Sequence, residues 1–245
     1  MAAVMASAAG HLCLYRLSAL VWGRSPGRAL LLFRHWGRRT WDWLGVDVEL
    51  HGTPPSRPCL YVANHRSYLD IPILAGVLGA SFLSRADVAG WWVIGGAARA
   101  IDTVFVDRED PRARMRAARA LARRLRTGSV VVFPEGTTGG APVPGPFQPG
   151  LFRLLHRLRI PVVPVTIRYG DRQAYWTDDL ALSAHLRRLV LGRRNARAAV
   201  HIGRPLGAEA HRDGQSLAGA AYRAVCGPIE AFGELVSEAA RPVRP

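Results

Sequence analysis

The stretch that decides the fold of this chain reads Cys59-Leu60-Tyr61-Val62-Ala63-Asn64-His65-Arg66-Ser67-Tyr68-Leu69-Asp70. Its first part, Cys59–Val62, is apolar throughout, as is typical of a strand that is covered on both faces. The segment Ile71–Leu78, which follows directly, is apolar and long enough for a helix. A buried strand that leads through polar residues into a helix indicates an α/β fold, and it places those polar residues where the strand ends.

The same alternation continues along the chain. After Cys59–Val62, the predicted strands are Ser81–Ser84, Thr103–Val106, Val130–Phe133, Val162–Ile167 and Ala198–Ile202. The predicted helices are Ile71–Leu78, Val88–Ala100, Pro111–Arg126, Gly150–Arg157, Asp178–Leu191 and Gln215–Ser237. This order predicts a central, mostly parallel sheet flanked by helices. In such sheets the loops that leave the carboxyl ends of the strands build the ligand site.

The N-terminal part of the chain has a different character. We expect residues 1–45 to form a helical, membrane-associating segment and residues 46–245 to form one α/β domain. Between residues 11 and 41 there are six arginines and no acidic residue. Apolar residues mixed with arginine over Leu12–Leu20 and Leu30–Trp43, with several tryptophans, favour helices lying in a membrane interface. A helical hairpin that simply packs on the domain is the alternative.

The overall charge limits the kinds of partner. The formal net charge is +15, and all of the basic charge comes from arginine, since the chain contains no lysine. Such a balance suits a polyanion, either nucleic acid or an anionic lipid surface, and composition alone does not choose between them. The three cysteines lack a Cys-x-x-Cys spacing, which argues against a zinc site or a disulfide framework and fits a reducing compartment.

His65 and Asp70 are the first candidates for chemistry. In a continuous helix they would lie about 140° apart, so they can meet only if His65 precedes the helix and Asp70 lies near its start. A carboxylate beside an imidazole holds one tautomer and stabilises the imidazolium, which makes His65 a general base. No obvious nucleophile accompanies the pair, so it suits activation of a substrate hydroxyl. Alternatively, Ser67–Asp70 matches a capping box, and Asp70 only stabilises the helix start.

Two further motifs follow predicted strands. Phe133-Pro134-Glu135-Gly136-Thr137-Thr138 can present backbone N–H groups and hydroxyls to an anion, although it also matches a simple turn. Arg108, just beyond the strand Thr103–Val106, can clamp a phosphate with its guanidinium. The alternative is a structural ion pair between Arg108 and one of the carboxylates around it.

The order of these motifs is more specific than any one of them. An Asn-His-x4-Asp motif, a strand ending in Phe-x-x-Arg, Phe-Pro-Glu-Gly-Thr and a Val-Pro-Val strand together resemble the lysophosphatidic acid acyltransferase (PlsC-type glycerolipid acyltransferase) family over Leu60–Arg168. The resemblance implies that His65 is the base and Asp70 its partner. It also implies substrate contacts for these residues: Asn64, Arg108, Glu135, Gly136 and Thr137.

Three departures from the family pattern concern the acceptor. Asp102 stands where glycine is usual, Arg85 stands where lysine is common, and Thr138-Gly139 replaces the Arg-Ser that often follows Phe-Pro-Glu-Gly-Thr. The missing arginine would suit an acceptor other than lysophosphatidic acid, such as a lyso-aminolipid.

The resemblance implies an O-acyltransferase that moves a fatty acyl group from acyl-CoA or acyl carrier protein to the free hydroxyl of a lysolipid. Conversion of lysophosphatidic acid to phosphatidic acid is expected first, and a lyso-ornithine type of acceptor is the alternative. We expect no metal and no tightly bound cofactor, and a place on the cytoplasmic face of the inner membrane, against an anionic lipid surface.

Two functions from other classes remain open. A lipid esterase is one, although the chain has no Gly-x-Ser-x-Gly motif. A non-catalytic module that binds membrane or nucleic acid is the other. It would explain the arginines but not the placement of the motifs at successive strand ends, and we expect no nucleic-acid partner.

Overall fold

The computed structural model describes residues 2–138, 143–170, 174 and 196–239. In this part of the chain the α-helices are α1 (Ala2–Trp22), α2 (Pro26–Leu44), α3 (Asp70–Leu78), α4 (Trp92–Ala100), α5 (Pro111–Arg124), α6 (Pro149–Leu158) and α7 (Gly214–Ala239). The strands are β1 (Val46–His51), β2 (Leu60–Ala63), β3 (Ser81–Arg85), β4 (Val104–Val106), β5 (Val130–Val132), β6 (Val162–Tyr169) and β7 (Ala196–Ile202).

Within the described residues, the strands form one seven-stranded sheet in the order β1-β7-β6-β2-β5-β3-β4. All neighbouring strands in this order are parallel except β6 and β7, which are antiparallel. The central strands are covered on both faces, and every residue of β2 and β5 is buried. The predicted α/β fold with a mostly parallel sheet is therefore confirmed.

Two elements differ from the sequence-based expectation. Strand β1 was not predicted, although Val46–His51 alternates apolar and polar residues as half-buried strands do. The predicted helix Val88–Ala100 is broken, because Trp91 is extended and separates a 3-10 helix (Ala86–Gly90) from α4. The predicted helix Asp178–Leu191 lies outside the described residues.

The two N-terminal helices pack on the α/β domain through small residues. Gly37 of α2 lies against α3, and a Cβ atom at Gly37 would be 2.5 Å from the carbonyl oxygen of Pro72 and 2.7 Å from the amide nitrogen of Gly76. The backbones of α2 and α3 therefore touch directly. On α4, Gly96 leaves room for the Leu12 side chain of α1 in the same way.

The outward face of α1 is apolar. Leu17, Leu20 and Trp22 are 60%, 84% and 72% exposed, respectively. The segment Val4–Trp22 has a mean hydropathy of 1.3 and is only 11% buried, so it is long and apolar enough to cross a membrane. Contiguous exposed apolar surface of this kind marks a place of contact with a membrane or a partner.

Candidate active site

The structure brings His65 and Asp70 together at the carboxyl end of β2. Asp70 is the first residue of α3 and is completely buried. Its Oδ2 atom accepts a hydrogen bond from Nδ1 of His65 at 2.7 Å, and its Oδ1 atom accepts one from the hydroxyl of Tyr169 at 2.5 Å. The backbone N–H groups of Arg66 and Ser67 also donate to Oδ2, at 2.6 and 2.9 Å. These four hydrogen bonds replace those that the carboxylate would make with water, and so offset the free-energy cost of burying it.

The two interpretations of Asp70 prove compatible. Its bond from the Ser67 N–H is half of a capping box. The other half is absent among the described contacts of this turn, because the Asp70 N–H donates to the Ser67 carbonyl and the Ser67 hydroxyl accepts from Leu69. One carboxylate therefore both stabilises the turn that leads into α3 and orients the imidazole of His65.

The ring of His65 is fixed on a second side by an aromatic contact. It stacks on Phe133, with ring centroids 4.0 Å apart and an interplanar angle of 14°. Since an ionised carboxylate only accepts hydrogen bonds, Nδ1 of His65 carries the hydrogen and Nε2 keeps a lone pair. The side chain of His65 is 18% exposed and lines a cavity, so a substrate hydroxyl can reach it.

The side chains of Asn64 and Glu135 form hydrogen bonds with backbone groups. Both amide atoms of Asn64 bond to the backbone of Ile167, at 2.9 and 2.8 Å, so this buried side chain extends the pairing of β2 with β6 by one step. Glu135 accepts from the N–H of His65 through Oε1 and from the N–H of Gly145 through Oε2, both at 2.9 Å. Neither residue lines the cavity. Both side chains hold backbone groups of the site, and their contact with the substrate stays a prediction.

Arg108 lines the cavity, and its role as an anion clamp stays a prediction. Its Nη1 atom donates to the Gly136 carbonyl at 2.9 Å, and within the described residues it forms no salt bridge. The neighbouring Asp107 and Asp110 instead accept backbone N–H groups. Partial burial, followed by the charge of Arg85, lowers the pKa of the Arg108 guanidinium, which stays protonated at neutral pH.

The cavity that His65 lines has a volume of about 460 Å³. His65, Arg108, Gly136, Thr137 and Thr138 lie along one part of its surface. The remainder is mostly apolar and is built largely from α1, α2 and α4; its members include Val4, Met5, Ala8, Leu12, Leu32, Phe33, Ile94 and Ala97. An apolar cavity with a few convergent polar groups is the usual form of a ligand site.

Thr138 adds a polar group that faces this cavity. The residue is 6% exposed, and its hydroxyl has no hydrogen-bond partner in the part of the chain that the structure describes. A buried hydroxyl without a partner is costly, and a bound substrate can satisfy it. The sequence offered Thr138 as a hydroxyl donor of the loop Phe133–Thr138 and as a departure from the family pattern. Its unpartnered hydroxyl at the cavity makes it a candidate for substrate contact.

Asp102, the departure at the start of the second motif, has a backbone explanation. Its φ angle is +56°, in the left-handed region that favours glycine and that aspartate tolerates better than most residues. A residue with that conformation ends α4 and sets the direction of β4, which leads to Arg108. The change from glycine to aspartate therefore preserves the turn.

We expect Gly136→Ala to disturb the Arg108 contact. Gly136 has a φ angle of +84°, and an added Cβ atom would collide with Nη1 of Arg108. The left-handed strain alone costs roughly 1–2 kcal/mol, which should appear as a lower free energy of unfolding in urea denaturation. Gly145→Ala is the matched control, since its Cβ would lie 4.0 Å from Glu135 and makes only ordinary contact. Equal losses from both variants would contradict this account.

Comparisons with known proteins agree with this geometry. The model of the Acyltransferase family matches residues 46–168. A lyso-ornithine lipid O-acyltransferase of Pseudomonas aeruginosa is 36% identical over 177 residues, which cover 70% of this chain and 67% of that protein. One from Rhodobacter capsulatus is 33% identical over 193 residues, covering 74% and 70%.

A second kind of relative and a solved structure are also similar. The 1-acyl-sn-glycerol-3-phosphate acyltransferase of Neisseria meningitidis is 31% identical over 138 residues, covering 55% of this chain and 54% of that protein. The crystal structure of the 1-acyl-sn-glycerophosphate acyltransferase PlsC from Thermotoga maritima shares the fold, with a TM-score of 0.66, 24% identity and coverage of 89% and 83%. The chain therefore belongs to the Acyltransferase family and is an acyltransferase of the type that the order of its motifs predicted.

Proposed function

We propose that this enzyme transfers a fatty acyl group from an acyl thioester to the free hydroxyl of a lysolipid, with His65 as the general base. The observation that carries the proposal is the 2.7 Å contact between His65 Nδ1 and Asp70 Oδ2 beside a largely apolar cavity. Lysolipids are the acceptors named for relatives of both kinds. An acceptor of this class brings a hydroxyl, a polar head and an acyl chain, which match the base, the cavity rim and the apolar walls.

The chemistry follows from the orientation of the imidazole. Nε2 of His65 takes the proton of the acceptor hydroxyl as its oxygen attacks the thioester carbonyl carbon. The imidazolium that forms is stabilised by Asp70. When the tetrahedral intermediate collapses, the carbon–sulfur bond breaks, and the imidazolium can return the proton to the leaving thiolate. The products are the acylated lipid and the free thiol of the carrier, and His65 is again neutral.

His65→Ala should lower kcat for transfer of a labelled palmitoyl group by roughly 10²–10⁴-fold, the usual contribution of a general base. The matched control is His211→Ala, because His211 is half-buried next to α7 and does not line the cavity. The control should keep wild-type turnover, and circular dichroism should give the same fold for both variants. Wild-type turnover by His65→Ala would contradict the mechanism, and thioester loss without an acylated lipid would favour an esterase.

For the acceptor, we place a lyso-aminolipid of the lyso-ornithine type first. Several relatives with this named activity match the chain, at 31–42% identity. The cavity is lined by Arg108 and by Arg85 and Asp87, which form a salt bridge with each other, so its polar part carries both signs of charge. A zwitterionic head with a carboxylate and an amine fits such a surface, because guanidinium binds a carboxylate in a fork and a carboxylate binds an amine.

Lysophosphatidic acid is the second candidate acceptor. Relatives from Neisseria meningitidis and from plant chloroplasts carry that activity in their names. Arg108 can hold a phosphate as well as a carboxylate. This acceptor has no amine that the Asp87 carboxylate could bind.

A two-acceptor competition distinguishes the candidates. The enzyme is given equal amounts of lyso-ornithine lipid and lysophosphatidic acid, with labelled palmitoyl-CoA in one series and palmitoyl carrier protein in the other. We expect ornithine lipid to dominate the labelled product. Predominant phosphatidic acid would reverse the order of the acceptors while leaving the acyl transfer itself intact, and the two series identify the donor.

We propose further that the apolar walls hold the acyl chain of a substrate. Ala8 lines the cavity from α1, so Ala8→Phe should narrow it. Turnover of palmitoyl-CoA should fall several-fold more than turnover of octanoyl-CoA, because only the longer chain needs the full length of the cavity. Ala6→Phe is the matched control, since Ala6 lies on the same helix, is exposed and does not line the cavity. Equal effects on both chain lengths would argue against this use of the cavity.

We also propose that α1 and α2 hold the enzyme on an anionic lipid surface, on the cytoplasmic face where a reducing compartment keeps the cysteines free. The exposed apolar side chains of α1 and the arginines of both helices support this, because such helices bind anionic interfaces.

The double change Leu20→Ser and Trp22→Ser should reduce sedimentation with phosphatidylglycerol vesicles at least several-fold, since it removes exposed apolar area from α1. Leu50→Ser is the matched control, because Leu50 is 46% exposed but belongs to β1 and not to either helix. Undiminished sedimentation of the double variant would exclude this face of α1 as the anchor.

A further inference from the structure

Tyr169 lies outside all the motifs that identify the family, yet it contacts the catalytic pair. It is the last residue of β6 and is 5% exposed. We propose that Tyr169 is a positioning residue that fixes the plane of the Asp70 carboxylate and, through it, the ring of His65. This inference rests on the proposed function, because it assigns Tyr169 a part in orienting the proposed base.

The two oxygens of Asp70 have different partners. Oδ2 accepts hydrogen bonds from Nδ1 of His65 and from the backbone N–H groups of Arg66 and Ser67, all in the same loop. Oδ1 accepts a hydrogen bond from the Tyr169 hydroxyl at 2.5 Å, and Tyr169 lies on a strand about a hundred residues further along the chain. Without Tyr169, all of the hydrogen bonds that the described residues donate to the carboxylate would fall on one oxygen.

The direction of that second bond matters for His65. The terminal torsion of an aspartate side chain has a broad energy profile, so a carboxylate held at one oxygen can rotate about its Cβ–Cγ bond. A donor fixed on the other oxygen restricts this rotation and keeps the Oδ2 lone pairs directed at Nδ1. A base that is held in one orientation is aligned with the reacting hydroxyl for more of the time, so the reaction is faster than with a base that rotates.

Strand β6 is well suited to provide that fixed donor. Its residues Val162–Val165 pair with β2, which ends immediately before the His65 loop. Beyond β2, the side chain of Asn64 holds the backbone of Ile167, and Tyr169 pairs with Ala198 of β7. The part of β6 that carries Tyr169 is therefore tied to both neighbouring segments and moves as part of the sheet.

The side-chain direction follows from the strand. Side chains two residues apart along a strand lie on the same face. Val163, Val165, Ile167 and Tyr169 all belong to the core cluster that also contains Leu69 and Ile73, on the face that α3 covers. Tyr169 thus reaches Asp70 from below α3, inside the core, and it lies outside the residues that line the substrate cavity.

Tyr169→Phe tests this role because it removes the hydroxyl and keeps the ring in the core. We expect kcat to fall roughly 10- to 100-fold, by analogy with the loss of a carboxylate or carbonyl partner of a histidine at metal sites. KM for both substrates should stay within about twofold, since Tyr169 does not touch the cavity. Tyr222→Phe is the matched control, because its hydroxyl donates to the Pro144 carbonyl at 3.0 Å, away from Asp70.

A double-mutant cycle separates positioning from a purely structural contribution. If Tyr169 acts through Asp70, adding Tyr169→Phe to Asp70→Asn should lower kcat little further, whereas independent effects would multiply. Turnover is counted per folded enzyme, with the folded fraction taken from thermal unfolding. Independent effects in the cycle, or a rise in KM equal to the fall in kcat/KM, would overturn the inference.

The outcomes also separate this inference from the proposed function. Inactive His65→Ala together with normal kcat for Tyr169→Phe would overturn the role of Tyr169 and leave the base intact. Full activity of His65→Ala would overturn both. A low kcat for Tyr169→Phe with unchanged KM, normal turnover by Tyr222→Phe and inactive His65→Ala would support both.

Discussion

The structure of the site depends on one buried charge. Asp70 has no exposed surface, so its carboxylate can remain ionised only if protein donors replace the water it has lost. Those donors are the ring of His65, two loop N–H groups and the hydroxyl of Tyr169. Satisfying the carboxylate therefore determines the path of the loop, the start of α3 and the orientation of the imidazole at once. The role of Asp70 in stability and its proposed role in catalysis therefore depend on the same hydrogen bonds.

Around this centre, the sheet brings distant segments to one edge. Glu135 joins the loop after β2 to the segment that contains Gly145, and Arg108 reaches across to the carbonyl of Gly136. The motif residues thus divide into those that hold the loops and those that face the cavity. Because the strand ends are fixed by parallel pairing, residues more than a hundred positions apart in sequence come within hydrogen-bond distance of one another.

Elements with a strong apolar pattern could be predicted from the sequence. Elements and contacts that depend on residues far away in the chain could not. Continuous apolar runs such as Val130–Val132 are recognisable because they are buried on both faces. Strand β1 is partly exposed and has a weaker pattern, and its pairing with β7 depends on residues 150 positions away. The pairing of His65 with Asp70 was predictable from local spacing. The contact of Tyr169 was not, since a tyrosine at a strand end fits a core residue equally well, and nothing local indicates a carboxylate beside it.

The contact between Gly37 and α3 has a mechanical consequence. Two helices whose backbones touch cannot slide or tilt independently without a steric clash, so α2 and α3 move together as one rigid unit. Asp70 is the first residue of α3 and therefore belongs to that unit. If α2 lies on a bilayer, as proposed, this contact holds the imidazole of His65 at a constant height above the lipid headgroups. The depth from which a lipid hydroxyl must rise to react is then set by Gly37 and Gly76, which do not line the cavity.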